Sequence, residues 1–169
     1  MALSVKKPRD YDTRVFINCP FDDEYKPLFD AIVFTIHDLG FQARHALIDN
    51  SSVIRVERIA TEIATCKYSI HDMSRVEVGA NKLPRFNMPF EAGIAYTVHA
   101  LQPKGREHHM GVLDSKPYQY QASISDLAGL DPKVHGNDPD QVIQCVREIL
   151  QRTCASASRP LRHGWRKLS

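Results

Sequence analysis

The four cysteines, at 19, 66, 145 and 154, include no CxxC pair, and the eight histidines show no HxxxH or CxxH spacing. The common zinc and dithiol frameworks are therefore missing. His108 and His109 are adjacent, so on a strand they point to opposite faces and cannot share an ion. No apolar run approaches the roughly 18 residues that cross a membrane. The opening MALSVKKPRDYDTR has none of the apolar character of a secretory leader. These absences suggest a reduced, cytoplasmic protein with free thiols, Cys19 and Cys66 being buried ones, and with neither a membrane nor a metal as partner.

Glycine is also scarce where it matters for nucleotide phosphates. A dinucleotide fingerprint or a P-loop places glycines directly after the first strand, where the backbone must approach the phosphates closely. Here that stretch reads CPFDDEY (19–25), acidic and free of glycine. A receiver domain fits poorly too, because Asp72 is the only candidate phosphoacceptor. The net charge is +2, and the last fifteen residues carry Arg159, Arg162, Arg166 and Lys167 without an acid. The basicity belongs to that tail, so nucleic acid is an expected partner only there.

What is present alternates between strand and helix patterns. RVFINCPF (14–21) is a β-rich run ended by a proline. The next segment repeats Leu28, Phe29, Ile32, Val33, Ile36 and Leu39 at helical steps, has Pro27 in its first turn and stops at Gly40. FQARHALI (41–48) predicts a second strand. DNSS supplies turn and capping chemistry, and Val53, Val56, Ile59 and Ile63 share one helical face. KYSIHDMS (67–74) predicts a third strand. After a polar loop to Pro84 comes a helix over 87–101, with Asn87 as a candidate N-cap. HHMGVLDS (108–115) predicts a fourth strand, and KVHG allows a short fifth. A last helix follows, capped by Asp138, with Pro139 first and Val142, Val146 and Ile149 facing inward. The organisation expected is a flexible segment over 1–13, one α/β domain over 14–152 and a basic tail over 153–169. The fold expected is a flavodoxin-like three-layer sandwich of about five mostly parallel strands in the order 2-1-3-4-5.

Ligands of open parallel sheets bind beyond the carboxyl ends of the strands. That rule draws Asn18, Pro20, Phe21, Asp22, Asp72, Ser74, Asn87 and Glu91 toward one crevice. Two carboxylates suit glycosidic chemistry, in which one stabilises or captures an anomeric carbon and another moves a proton. Each residue also has a plainer role open to it. Asp72 and Ser74 suit a turn, Asp22 and Asn87 suit helix caps, Phe21 suits a core, and Glu91 suits a helix end. For Glu91, burial would raise the pKa and a helix N-terminus would lower it, a balance the sequence leaves open.

VFINCPF, IHDMS and above all NMPFEAGIAY (87–96) resemble the nucleoside 2-deoxyribosyltransferase-like superfamily, a group structurally related to Toll/interleukin-receptor (TIR) domains. The resemblance covers residues 14–101. It implies a flavodoxin-like fold and attack on an N-glycosidic bond, with no cofactor. Glu91 would be the nucleophile or anomeric-carbon stabiliser, Asp72 would contact the base or help proton transfer, and Phe21 would stack on the base. Gly93 and Ala95 would let the helix lie close to the sheet. The partner implied is a small nucleoside or nucleotide, or NAD as substrate, since TIR relatives that consume NAD use a helix-borne glutamate. A homo-oligomer is also implied. The alternative is a non-catalytic nucleotide-sensing module or self-associating TIR-like scaffold.

Overall fold

Apolar side chains at the consecutive positions Val15-Phe16-Ile17 need cover on both faces of a strand. The first strand, β1 (Arg14–Asn18), receives it: all three are at most 1% exposed. Val15 and Ile17 enter one core and Phe16 enters another on the opposite face. The structure is a computed structural model that describes residues 5–45, 54–75, 86–101, 105–119 and 130–156.

The other strands are β2 (Gln42–Arg44), β3 (Tyr68–Asp72), β4 (His109–Asp114) and β5 (Lys133–Val134). All pairings are parallel, and the order is β2-β1-β3-β4-β5. The register sets Val15 beside Tyr68, Tyr68 beside His109, and Leu113 beside Lys133. This is the flavodoxin-like α/β arrangement read from the sequence. The strand order reverses between β1 and β3, the kind of place where ligands of open parallel sheets bind.

Four α-helices are found among the described residues: α1 (Lys26–Asp38), α2 (Arg55–Ala64), α3 (Asn87–Leu101) and α4 (Pro139–Ser156). Leu28, Ile32 and Ile36 of α1 meet Val142, Val146 and Leu150 of α4 over Val15, Ile17, Ile70 and Leu113. On the other face, Ile59 and Ile63 of α2 meet Ala95 and Val98 of α3 over Phe16. The ends follow local chemistry. Pro27 lies in the first turn of α1, where its missing N–H costs nothing. Gly40, at φ +80, ends that helix in the left-handed conformation. The Asp138 carboxylate accepts the Asp140 N–H at 2.9 Å and so caps α4.

The structure departs from the sequence reading in four places. Within the segment expected to be loose, Tyr11 is 1% exposed, and its hydroxyl donates to the carbonyls of Arg106 and Glu107, both at 3.2 Å. Its carbonyl accepts the Lys67 N–H at 3.2 Å. An aromatic ring with three distant partners outweighs the polarity of its neighbours. The last helix runs through Ser156, beyond the boundary expected at 152. Helix α3 begins at Asn87 itself, and the Phe86 carbonyl accepts the Phe90 N–H at 2.9 Å, so Phe86 rather than Asn87 takes the N-cap position. Gly93 faces outward, and a Cβ there would meet nothing within 4 Å; close packing on the sheet comes from Ala95, fully buried. The DNSS turn, Val53, the loop up to Pro84 and the basic tail from 157 lie outside the described residues. No helix among the described residues is long and apolar enough to cross a membrane.

One glycine does bring layers together. A Cβ on Gly111 of β4 would lie 2.5 Å from Cγ2 of Ile149 on α4. Gly111→Ala should therefore destabilise the fold by about 1–3 kcal/mol through overpacking, and Ile149→Ala in the same chain should restore part of the loss. Urea denaturation of the two single variants and the double variant checks this.

Candidate active site

Side chains alternate across a strand, so the order Tyr68-Ser69-Ile70-His71-Asp72 sorts β3 into two sets. Tyr68 and Ile70 join the α1/α4 core, and Asp72 shares their face. There its carboxylate is fully buried. The Tyr25 hydroxyl donates to Oδ2, the Ser74 N–H donates to Oδ1 at 2.7 Å, and His135 Nε2 lies 3.0 Å from Oδ2. His135 accepts the Asn137 N–H on Nδ1 at 3.0 Å, which leaves the ring hydrogen on Nε2, toward the carboxylate. The two groups are close, but the geometry is not that of a hydrogen bond. Burial opposes the charge, yet His135, Ser74 and Tyr25 outweigh it and hold Asp72 below the ordinary carboxylate range. Asp72 thus serves the protein's own donors. The expected contact between Asp72 and a base does not form in this arrangement, because both oxygens are occupied and none of the residue is exposed.

His71 points to the other face, where its ring lies 6.2 Å from that of Phe16. The Asn18 amide donates to His71 Nδ1 and to the Met88 carbonyl, both at 3.0 Å. One side chain therefore ties the ends of β1 and β3 to the first turn of α3. Asn18 is 2% exposed, so it acts as a brace and not as the expected substrate contact.

The brace fixes the turn that carries Glu91. The sheet-facing stripe of α3 reads Met88, Glu91, Ala92, Ala95, Val98, and Glu91 is the one charged member. It lies past the first turn, which holds no acid, so the favourable charge–dipole interaction of a helix start is weak. Glu91 is 8% exposed, and among the described residues its carboxylate makes no hydrogen bond or salt bridge. Burial raises its pKa, with Arg55 pulling the other way. Burial thus wins the balance that the sequence left open. Cys19 is 1% exposed; its thiol is driven up by burial first and then by the charges of Asp72 and Glu91, which keeps it protonated and inert.

The remaining expected residues divide between the rim and the wall. Phe21 is 40% exposed and meets Phe29 edge-on at 5.5 Å, beside His45 at 6.1 Å. Pro20 is buried. Asp22 accepts the Tyr25 N–H at 3.0 Å, which caps the turn into α1, and accepts from Arg75 at 3.0 Å. Arg75 also reaches Glu24 at 3.1 Å, which links the loops after β1 and β3. Ser74 is 5% exposed, with its Oγ unpartnered. Asn87 is exposed at the start of α3. Among the described residues, no group of three or more histidines, cysteines and acids could hold a metal ion.

Sequence reasoning missed Tyr25, His135, Arg75 and Arg55. Tyr25 stands just before α1, and His135 follows a two-residue strand; neither has a local pattern that announces a buried acid as its partner. Asp72 and Glu91, expected to face each other, project from opposite sides of the sheet. The period-two rule contains that result: His71, one residue before Asp72, is the side chain on the α3 side.

Replacing the buried acid should reveal its structural role. Asp72→Asn puts an amide donor against the Tyr25, Ser74 and His135 donors, and a loss of about 3 kcal/mol or more is expected in chemical denaturation. The buried histidines give a separate signature. Burial holds His71 at about 3 and His108 at about 4, against an ordinary 6.5. The unfolded chain therefore binds more protons than the folded one below 6.5, and stability falls as pH drops through that window. Melting temperature should climb from pH 4 to 6.5 and level off above it; a flat profile would contradict the buried, neutral rings.

No model of a known protein family matches the chain, and no curated protein matches it. Among solved structures, the chain is similar to a diflavin flavoprotein A3 from Nostoc sp., at 13% identity and TM-score 0.49, over 89% of this chain and 97% of that one. It is also similar to a GCN5-related glucosamine N-acetyltransferase region in a fungal multi-domain GH3 β-N-acetylglucosaminidase, at 10% identity and TM-score 0.47, over 88% of this chain and 15% of that one.

Proposed function

We propose that this chain binds a nucleoside, a nucleotide or NAD and breaks its N-glycosidic bond, by hydrolysis or by transfer, with Glu91 as the group that faces the anomeric carbon. One observation carries the reading. Buried carboxylates are ordinarily satisfied by protein donors, as Asp72 is, whereas Glu91 is more than nine-tenths buried and has no such partner among the described residues. A largely buried acid with no protein partner among the described residues, near the carboxyl end of a parallel sheet, is suited to a ligand. The resemblance of NMPFEAGIAY to the nucleoside 2-deoxyribosyltransferase-like superfamily supports the same role.

In this reading the ionised Glu91 stabilises or captures the anomeric carbon as positive charge develops there. The C1′–N bond breaks and its electron pair leaves with the base; water or an acceptor then adds to C1′, displacing Glu91 where it has bonded there, and the proton it loses goes to the departing base, or to solvent when the base leaves neutral. Phe21, exposed at the rim, offers a face for the base. Asp72 is a positioning residue: through Ser74, Tyr25 and His135 it fixes the loops that form the wall. Asn18 positions Glu91 through Met88.

A second reading, binding and self-association without turnover, is favoured by the outward side of α3, where Phe86, Phe90 and Leu101 are 68%, 59% and 77% exposed. There Glu91 would be structural.

Chromatography of released base or nicotinamide, from a nucleoside panel and from NAD, separates the two. Glu91→Gln should lower kcat by about a hundredfold or more while the protein stays folded. The rate should also fall on acidification through a pKa above the ordinary 4.5, because Glu91 must be ionised and burial raises its pKa. Turnover unchanged in Glu91→Gln would remove Glu91 from the chemistry, and ligand-induced stabilisation without turnover in either protein would favour the second reading.

A further inference from the structure

The outer side of α3 differs from that of its neighbour. Helix α2 sets Arg55, Glu57, Arg58 and Glu62 among ten residues, the charged face of a helix that borders water. Helix α3 is longer, yet it has no lysine, arginine or aspartate, and its one acid, Glu91, belongs to the buried stripe. Its outer side instead exposes Phe86 at the N-cap, Phe90, Tyr96 and Leu101. A helix that is apolar all round is ordinarily covered on all sides, and an exposed apolar patch of this size marks an interaction surface.

The order of residues along that side indicates what covers it. At roughly 100° per residue, Phe86, Phe90, Gly93, Ile94, Thr97 and Leu101 form one stripe. Its centre lies between 93 and 94: Phe86 and Leu101 are equally far from it, and so are Phe90 and Thr97. A second copy laid antiparallel across a two-fold axis at that centre sets Phe86 against the partner's Leu101. Each Phe90 ring then meets the small side chain of the partner's Thr97. At the crossing point Gly93 has no side chain, and a Cβ built there meets nothing within 4 Å, so two backbones can approach closely. The lack of charge matters equally. A two-fold brings a surface against itself, and an ion at its centre would meet its like. From their exposed fractions, Phe86, Phe90, Tyr96 and Leu101 alone offer about 500 Å², more than half of the roughly 800 Å² that each partner of a stable complex buries.

We propose that the outer side of α3 is a homodimer interface, in which two copies of this chain pack their α3 helices antiparallel about a two-fold axis at Gly93 and Ile94. This rests on the self-association of the second reading, to which it gives a surface and a symmetry, and it stands whether or not Glu91 turns over a substrate.

Analytical ultracentrifugation of the full chain under reducing conditions should show a dimer at about 10 µM. Phe90→Asp, present twice in each dimer, should weaken association by about a hundredfold or more with the circular dichroism unchanged. Phe34→Asp, at a similarly exposed ring on α1, should leave the dimer intact. Oxidative cross-linking then reads the geometry. Gly93→Cys lies beside its own copy across the axis and should cross-link with itself. Thr97→Cys lies roughly 10 Å from its own copy along the helix, beyond the span of a disulfide, and should cross-link only when mixed with Phe90→Cys. Wild type run in parallel gives the background from the four native cysteines. A chain that stays monomeric at about 100 µM overturns the proposal; where its Gly93→Cys variant also resists a maleimide, the chain's own residues cover the face. A dimer that survives Phe90→Asp, or is equally broken by Phe34→Asp, overturns it too, as does self cross-linking of Thr97→Cys. Base release is measured on the same samples. Release without a dimer keeps the N-glycosidic reading and removes the interface, and a dimer without release does the reverse.

Discussion

A negative charge held inside an apolar core is the constraint around which the carboxyl end of the sheet is arranged. The Asp72 carboxylate has no water to solvate it, and an uncompensated charge there would cost several kcal/mol. The groups around it come from three separate places: hydrogen bonds from Tyr25 in the turn into α1 and from Ser74 after β3, and the close approach of His135 just past β5. Satisfying one side chain therefore fixes three connections at once. The loops after β1 and β3 are tied further by the ion pairs of Arg75 with Asp22 and Glu24.

The two acids illustrate how environment decides the use of a carboxylate. Both are removed from solvent. Asp72 is saturated with donors, and its proton affinity is lowered; Glu91 has none among the described residues, and its affinity is raised. The first is a structural anchor; the second is the acid on which the proposed function rests. Asp72 shares the face of the α1/α4 core, whereas Glu91 belongs to the sheet-facing stripe of α3, whose first turn the Asn18 brace holds.

The regular elements were legible because their patterns are strong. The continuous apolar run at 15–17 could only be a strand covered on both sides. The helical steps of α1 and α4 are bounded by their own signals, Pro27 and Asp138 at the starts and Gly40 at a stop, and the span of α3 agrees with the reading at both ends. The connections of the site were less legible. Tyr25 and Asp72 are 47 residues apart, and Asn18 and Met88 are 70 apart; pairings at such separations exist only once the layers have formed. Tyr11 was missed for the same reason. It sits among charged neighbours, and its partners lie 95 and 96 residues further along. Glu91 was visible as an acid in an apolar stripe, but which faces of the sheet it and Asp72 would occupy required the strand parity to be applied residue by residue.

The placement of His135 also bears on how the protein is made. Asp72 is synthesised well before the last strand, so a growing chain that has completed β3 and β4 still lacks one of the groups that compensate the buried charge. Until His135 emerges, that aspartate must keep contact with water, and the α1/α4 core cannot close over it. Helix α4 completes the same core and is made later still. Assembly is thereby coupled to the arrival of the C-terminal quarter, in keeping with the distant pairings that every parallel crossover requires. A ribosome-bound fragment ending before β5 would hold an open, hydrated layer in place of a sealed one.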